Sequence, residues 1–249
     1  MSNAVLLIII AVLSYAFGNV NWARIISGLR HKDITKMGSG NPGTLNMSRN
    51  FGLKFGLLTF FLDILKGVLP TLVSYLVLSG KTFKGSDFYV SDLAIYLSGL
   101  CVVLGHIYPA VFKFKGGKGI ASTIGVFLVC EFVHGWQWGM VNVMALIAAA
   151  VFIYITEFGA MGSFIAITPP AIGGSIRLYL TYAQSASDIN VILCIIVNML
   201  IFSICLFTWF AHRKNIERML SGDEHPTSIK SMVVKRRAEK LQKKEENNQ

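Results

Sequence analysis

The sequence predicts an all-α integral membrane protein, a bundle of about seven transmembrane helices with the N-terminus outside and the C-terminus cytoplasmic. Three observations carry this. Apolar residues fill 53% of the 249 positions and charged residues only 14%, and mean hydropathy is +0.57; soluble domains carry about a quarter charged residues. Apolar runs long enough to cross a bilayer alternate with short polar segments. The net charge of +10 is concentrated in alternate segments, as the bias of Lys and Arg toward cytoplasmic loops requires.

Taken in order, residues 4–26 form the first span, with Asn19, Asn21 and Arg24 near its inner end. No Lys or Arg precedes it, so the positive region of a secretory signal is missing. Residues 38–49 are polar and glycine-dense. The second span, 53–78, carries Asp63 and Lys66, three apart and so on one helix face. Ionisable residues within a span face the bundle and pair, and a structural Asp63–Lys66 pair is preferred here to a chemical role. The third span covers 93–112, the fourth 120–133, the fifth 141–156. Residues 134–138 form an interfacial turn rich in tryptophan. The sixth, 164–182, is broken by Pro169-Pro170 and Gly173-Gly174, and the seventh covers 189–210. The membrane domain is thus 1–212, and 213–249 is a basic cytoplasmic tail whose run from Lys235 is solvated or bound to headgroups. Cys101, Cys130, Cys194 and Cys205 all fall in apolar runs, form no CxxC pair, and read as small buried hydrophobes.

With the N-terminus outside, the inner face gathers Arg24, Arg30, Lys32, Lys36, Arg49, Lys54, Lys113, Lys115, Lys118 and the basic residues from Arg213 on. The outer face keeps Lys81, Lys84 and Arg177. Four polar segments then meet at one membrane face: 38–49, 113–122, 157–163 and 212–224. Nucleic acid is the weaker account of the charge, because the basic residues lie between apolar spans and in a short tail.

The stretch Lys-Phe-Lys-Gly-Gly-Lys-Gly at 113–119 packs three lysines and three glycines into seven residues. Gly116, Gly117 and Gly119 can take positive φ and leave backbone N–H groups open, and the helix that follows points its N-terminus back at them. Lys118 adds a mobile charge. This suits a phosphate; the bland alternative is a loop made basic to fix orientation. It is a poor Walker A loop, since no Ser or Thr follows the Lys. Around it stand the anion binders Arg49, Lys118 and Arg213, the hydroxyls Ser39 and Ser163, the amides Asn41, Asn46 and Asn215, and the carboxylate Glu224. Metal ligands at recognised spacing are missing, as are HExxH and GxSxG motifs; five residues after His106 stands Val111 and five after His212 stands Glu217, so no His-x4-Asp pair exists. Phosphate binders without a nucleophile–base pair point to catalysis by positioning and charge stabilisation.

Three ordered segments resemble the bacterial acyl-phosphate:glycerol-3-phosphate acyltransferases, the PlsY family. Gly38, Ser39, Gly40, Asn41, Gly43, Asn46 and Arg49 match its first motif. Gly105, His106, Pro109, Phe114 through Gly119 and Ala121 match its second. His212, Arg213, Asn215, Ile216, Arg218, Gly222 and Glu224 match its third. Asp63, Lys66, Gly67 and Pro70 follow a further family pattern, and the likeness covers about 36 to 225. It implies a seven-helix enzyme of the bacterial inner (cytoplasmic) membrane, with its site at the cytoplasmic face. The reaction implied moves an acyl group from acyl phosphate to the 1-hydroxyl of glycerol 3-phosphate, without metal or cofactor. Catalytic residues by this likeness are Ser39, Asn41, Arg49, Lys118, His212, Asn215 and Glu224. Substrate-binding residues are Gly116, Gly117, Lys118, Gly119, Ser163 and Arg213. Implied partners are the two phosphates, membrane lipid and an enzyme producing acyl phosphate. Departures stand at Thr44-Leu45, where the family has Ala-Thr, at Ser122 for Thr, at Glu157 for a basic residue and at Ala160 for Ser. They allow a divergent paralogue with another acceptor. Two further readings are a transporter of a small phosphorylated metabolite and a non-catalytic scaffold. Against a transporter, no internal repeat appears and the charges lie at one face.

Overall fold

The computed structural model describes residues 2–182, 187–223, 227 and 234. Ten α-helices occupy them: α1 (Asn3–Gly18), α2 (Trp22–Gly28), α3 (Thr44–Phe51), α4 (Leu53–Leu78), α5 (Val90–Ile107), α6 (Ile120–Phe132), α7 (Trp136–Thr156), α8 (Gly159–Tyr182), α9 (Asp188–Ala211) and α10 (Arg213–Ser221). Each of the seven expected spans holds helix. Among the described residues, five stretches are long and apolar enough to cross a membrane: Asn3–Gly28, Leu53–Leu78, Val90–Phe112, Trp136–Thr156 and Asp188–Ala211. At 13 residues, α6 reaches only about 20 Å, short of the roughly 30 Å hydrocarbon core.

Two expectations need correction. The first span is broken, with α1 ending at Gly18 and α2 starting at Trp22. Asn21 Oδ1 caps α2 by accepting from the Arg24 N–H at 2.9 Å, which frees the Val20 carbonyl from the helix ladder. The sixth span is not broken: α8 runs through Pro169, Pro170 and both glycines. In a membrane, neighbouring helices support a proline-containing helix. Gly174 leaves room for two groups, because a Cβ there would meet Tyr96 Oη at 2.7 Å and Glu131 Oε1 at 2.9 Å.

The core is centred on α5, which touches α1, α4, α6 and α9. Two crossings depend on glycine. A Cβ on Gly67 of α4 would strike the Ser122 carbonyl, and one on Gly125 of α6 the Ile64 carbonyl. Gly18 of α1 and Gly105 of α5 abut in the same reciprocal way. Without a hydrophobic drive between helices in lipid, such close backbone approach supplies the contact. At the end of the bundle remote from the glycine–lysine loop, a polar clasp ties three elements. Asp92 of α5 accepts from the Tyr182 hydroxyl at 2.5 Å, and its other oxygen lies 2.8 Å from His134 Nε2 and 3.5 Å from Arg177 Nη2. Next to it, Asn190 of α9 bonds both Ser86 and Asp87.

Candidate functional site

The first polar segment is framed by a side chain. Asn46, 2% exposed on α3, donates through Nδ2 to the carbonyls of Ile34 (3.2 Å) and Met37 (2.9 Å). Its Oδ1 accepts from the Ser39 N–H (3.2 Å) and Asn50 Nδ2 (3.0 Å). That is its full hydrogen-bonding capacity, so Asn46 shapes the loop and leaves Ser39 and Arg49 on the exposed side. Ser39 Oγ accepts from the Asn41 N–H at 3.4 Å. Upstream, Asp33 accepts from Thr35 Oγ1 at 2.7 Å and its N–H at 3.0 Å, and these bonds hold its carboxyl below the usual carboxylate range.

The glycine–lysine loop corrects the sequence reading. Of its three glycines, only Gly119 has positive φ, at 86°. The N–H groups of Gly116 and Gly117 are not open to a ligand: they donate to the carbonyls of Ile107 and His106, both at 3.1 Å. Those glycines serve close approach. A Cβ at 116 would strike the His106 carbonyl, and one at 117 the His106 ring at Nε2. The turn before them is strained, with Lys113 (φ 54°) and Phe114 (φ 58°) left-handed. Arg24 secures it, donating from Nη2 to the Lys115 carbonyl at 3.0 Å with its guanidinium 4.4 Å from the Phe112 ring centroid.

Lys118 Nζ donates to Asn215 Oδ1 at 2.5 Å, joining the second motif to the third. His212, 3% exposed, sits between α9 and α10 with Nδ1 2.9 Å from the Thr208 carbonyl. Donation from Nδ1 makes Nε2 the acceptor of the neutral ring. Phe164 stacks edge-on against His212 at 5.6 Å, bringing α8 to the same place. The 157–163 turn reaches the first segment: a Cβ on Gly159 would meet Leu45 Cδ1 at 3.4 Å. Ser163 Oγ donates to the Gly159 carbonyl at 2.8 Å. Arg213 is exposed and turned back on α9, with Nη1 3.3 Å from the Phe210 carbonyl. Glu224 lies outside the described residues, as does the run from Lys235.

Two features escaped the sequence reading. Asp63 and Lys66 form their pair at 3.2 Å, but Lys66 also reaches Val20 and His106 beneath the glycine–lysine loop. Their spacing was the visible signal; the third partner, 40 residues away, was not. The second feature is a groove of about 1010 Å³ along one face of α9, from Tyr182 and Cys194 past Asn198 and Phe202 to Trp209. The Trp209 ring is 5.8 Å from Phe164, which in turn meets His212. The Trp209 end of the groove is thus linked through Phe164 to His212, whose imidazole feels the Lys118 charge. Among the described residues no cluster of His, Cys, Asp or Glu could hold a metal ion.

This arrangement defines a class: an α-helical, multi-pass integral membrane protein with a polar, cationic site at one end of the bundle and an apolar groove along α9. The particular family follows from comparison with known proteins. The profile of the glycerol-3-phosphate acyltransferase family matches residues 8–222, and the chain belongs to that family. Among its relatives is a glycerol-3-phosphate acyltransferase of Aquifex aeolicus, 34% identical over 218 residues, covering 87% of this chain and 96% of that protein. Another, from Clostridioides difficile, is 32% identical over 218 residues, 87% of this chain and 93% of the other. Of solved structures, the glycerol 3-phosphate form of PlsY (YgiH), described as an integral membrane glycerol 3-phosphate acyltransferase, superposes with TM-score 0.63 at 28% identity, over 88% of this chain and 94% of that one. Its lysophosphatidic acid form superposes with TM-score 0.61.

Proposed function

We propose that this protein transfers a fatty acyl group from acyl phosphate to the 1-hydroxyl of glycerol 3-phosphate. The products are 1-acylglycerol 3-phosphate (lysophosphatidate) and inorganic phosphate, a step of phospholipid biosynthesis. The site faces the cytoplasm, in a seven-span chain of the bacterial inner membrane whose N-terminus is outside. An enzyme making acyl phosphate supplies the donor. The observation that carries this reading is the Lys118–Asn215 bond, which joins two motif segments at one end of the bundle. An acyl chain occupies the groove while its phosphate meets Lys118.

The chemistry needs no protein nucleophile, because acyl phosphate is already activated. The 1-hydroxyl oxygen attacks the acyl carbonyl, the acyl–oxygen bond to phosphate breaks, and phosphate leaves with the bonding pair. The hydroxyl proton passes to a phosphate oxygen. Lys118, Arg49, Ser39 and the first amides of α6 stabilise the charge that develops. Asn215 orients Lys118, and His212 offers a neutral acceptor. Arg213 and Ser163 hold the rim, and Glu224 belongs to the same set.

The assay is phosphate release from palmitoyl phosphate by purified protein, with and without glycerol 3-phosphate. Release that requires glycerol 3-phosphate and yields lysophosphatidate supports the reading. Ser39→Ala and Arg49→Ala each lower turnover by about a hundredfold to a thousandfold, the scale of one lost charge-stabilising group; near-normal rates in both count against it.

One observation favours a second reading, a different acceptor. Leu45, Glu157 and Ala160 depart from the family pattern, and Leu45 packs beside Gly159, between the other two. The departures thus fall on one wall. Release stimulated by another polyol phosphate and not by glycerol 3-phosphate selects this reading.

A further inference from the structure

The tail returns to the site after α10 has ended. Gly222 (φ 79°) caps α10, and the Asp223 N–H donates to the Arg218 carbonyl at 2.8 Å. Four residues further on, Thr227 is 2% exposed. Its N–H donates to the Glu157 carbonyl at 3.0 Å, at the left-handed residue (φ 58°) that caps α7. Its methyl packs on Gly159, the first residue of α8. A Cβ built on Gly159 would lie 2.9 Å from Thr227 Cγ2 and 3.4 Å from Leu45 Cδ1. One tail residue thus meets the α7–α8 turn by main chain and by side chain, at the spot where Leu45 of α3 also arrives. The hydroxyl does not hold it there: Thr227 Oγ1 is buried without a hydrogen-bond partner. The four residues from Asp223 to Thr227 span at most about 14 Å, so this anchor also limits where α10 can stand. On α10 sits Asn215, the partner of Lys118. Thr227 lies beyond residues 8–222, which the family profile matches, so the anchor is not supplied by that likeness.

We infer that Thr227 is a positioning residue. Docked on Glu157 and Gly159, it ties α10, and through it Asn215 and Lys118, to the wall made by α3 and the α7–α8 turn, and so sets the affinity of the site for its acceptor. Thr227 itself touches no substrate. That the acceptor is glycerol 3-phosphate rests on the function proposed above.

The test is a size swap in full-length protein in nanodiscs. Gly159→Ala adds a methyl that strikes Thr227 Cγ2, and Thr227→Ser removes that Cγ2. The two changes fit each other, because the new methyl fills the space the old one leaves. In Gly159→Ala, KM for glycerol 3-phosphate is expected to rise on the order of tenfold, the scale of one backbone hydrogen bond and one buried methyl, while kcat stays within about twofold. Thr227→Ser alone raises KM less, and the double variant returns it toward the wild-type value. A purely structural lesion would lower kcat and the melting temperature together, and a second lesion would not repair it. Thr227→Val, which keeps the methyl and the N–H, is expected to match the wild type. An unchanged KM in Gly159→Ala, a double variant no better than Gly159→Ala, or a raised KM in Thr227→Val overturns the inference. Docking is also read without substrate. A Cβ at 159 lies one bond farther than 2.9 Å, at most, from Thr227 Cβ, within disulfide reach. In a background lacking the four native cysteines, Gly159→Cys/Thr227→Cys should therefore crosslink on oxidation, seen as a mass loss of two hydrogens; failure to crosslink overturns the inference. If the wild type makes no lysophosphatidate, the functional reading falls alone, because the crosslink still decides whether the tail docks.

Discussion

His212 stands one residue past the end of α9, and its environment sets its charge. Burial, with the Lys118 ammonium nearby, pushes its imidazole down to about 4, partly offset by the bond to the Thr208 carbonyl. An unfolded histidine titrates near 6.5. As pH falls, the unfolded chain takes up this proton before the folded one does. The contribution of His212 to stability is therefore complete above about 6.5 and is lost as pH falls toward about 4. Thermal unfolding in detergent should decline between pH 7 and 4.5 less steeply for His212→Gln than for the wild type. Equal slopes would show that the ring is not held neutral. The same neutrality lets Nε2 accept a bond near Lys118, where an imidazolium would repel the lysine.

At the scale of elements, the helix crossings rest on glycine more than on side-chain volume. Gly67→Val would press a branched side chain against the Ser122 carbonyl, and Gly105→Val against that of Tyr15. Each should cost about 1–3 kcal/mol, the usual range for overpacking, read as a lower melting temperature in detergent. Gly28→Ala is the control, since nothing lies within 4 Å of a Cβ there, and its melting point should stay put. The helices themselves were legible from the hydropathy pattern, because lipid forces each apolar run to satisfy its own backbone. Their interruptions were less so. Pro169-Pro170 read as a break, yet neighbouring helices carry α8 through it. Asn19 and Asn21 read as a boundary, yet they mark a break inside the first helical stretch. The glycine–lysine loop was found for its charge, while its glycines were misread. Their value lies in packing against His106, a partner that only the folded chain reveals. The Lys118–Asn215 bond, 97 residues apart, was legible only as two motifs expected on one face.

For the whole molecule, the bias of basic residues makes the proposed cytoplasmic placement of the site testable. In a background lacking the four native cysteines, Lys84→Cys should react with a membrane-impermeant maleimide in spheroplasts. Lys113→Cys should react only once the membrane is opened. The reverse pattern would put the glycine–lysine loop outside and end the functional proposal. The clasp around Asp92 lies at the far end from that loop and holds α5, α8 and the α6–α7 turn together, so mutations there should act on stability before turnover.

The groove along α9 opens sideways, with Met199, Phe202 and Leu206 all more than half exposed on its surface. On the proposed function, a fatty donor bound there would enter from within the leaflet and never have to dissolve in water, and the acylated product would slide back the same way. One substrate is then counted per area of membrane and the other per volume of cytosol. Diluting vesicles with buffer should leave the apparent affinity for acyl phosphate unchanged, and adding inert lipid should weaken it in proportion. With the proposed substrates the enzyme would work as a valve between a two-dimensional pool and a three-dimensional one, and the amount of membrane in the cell would enter directly into its rate.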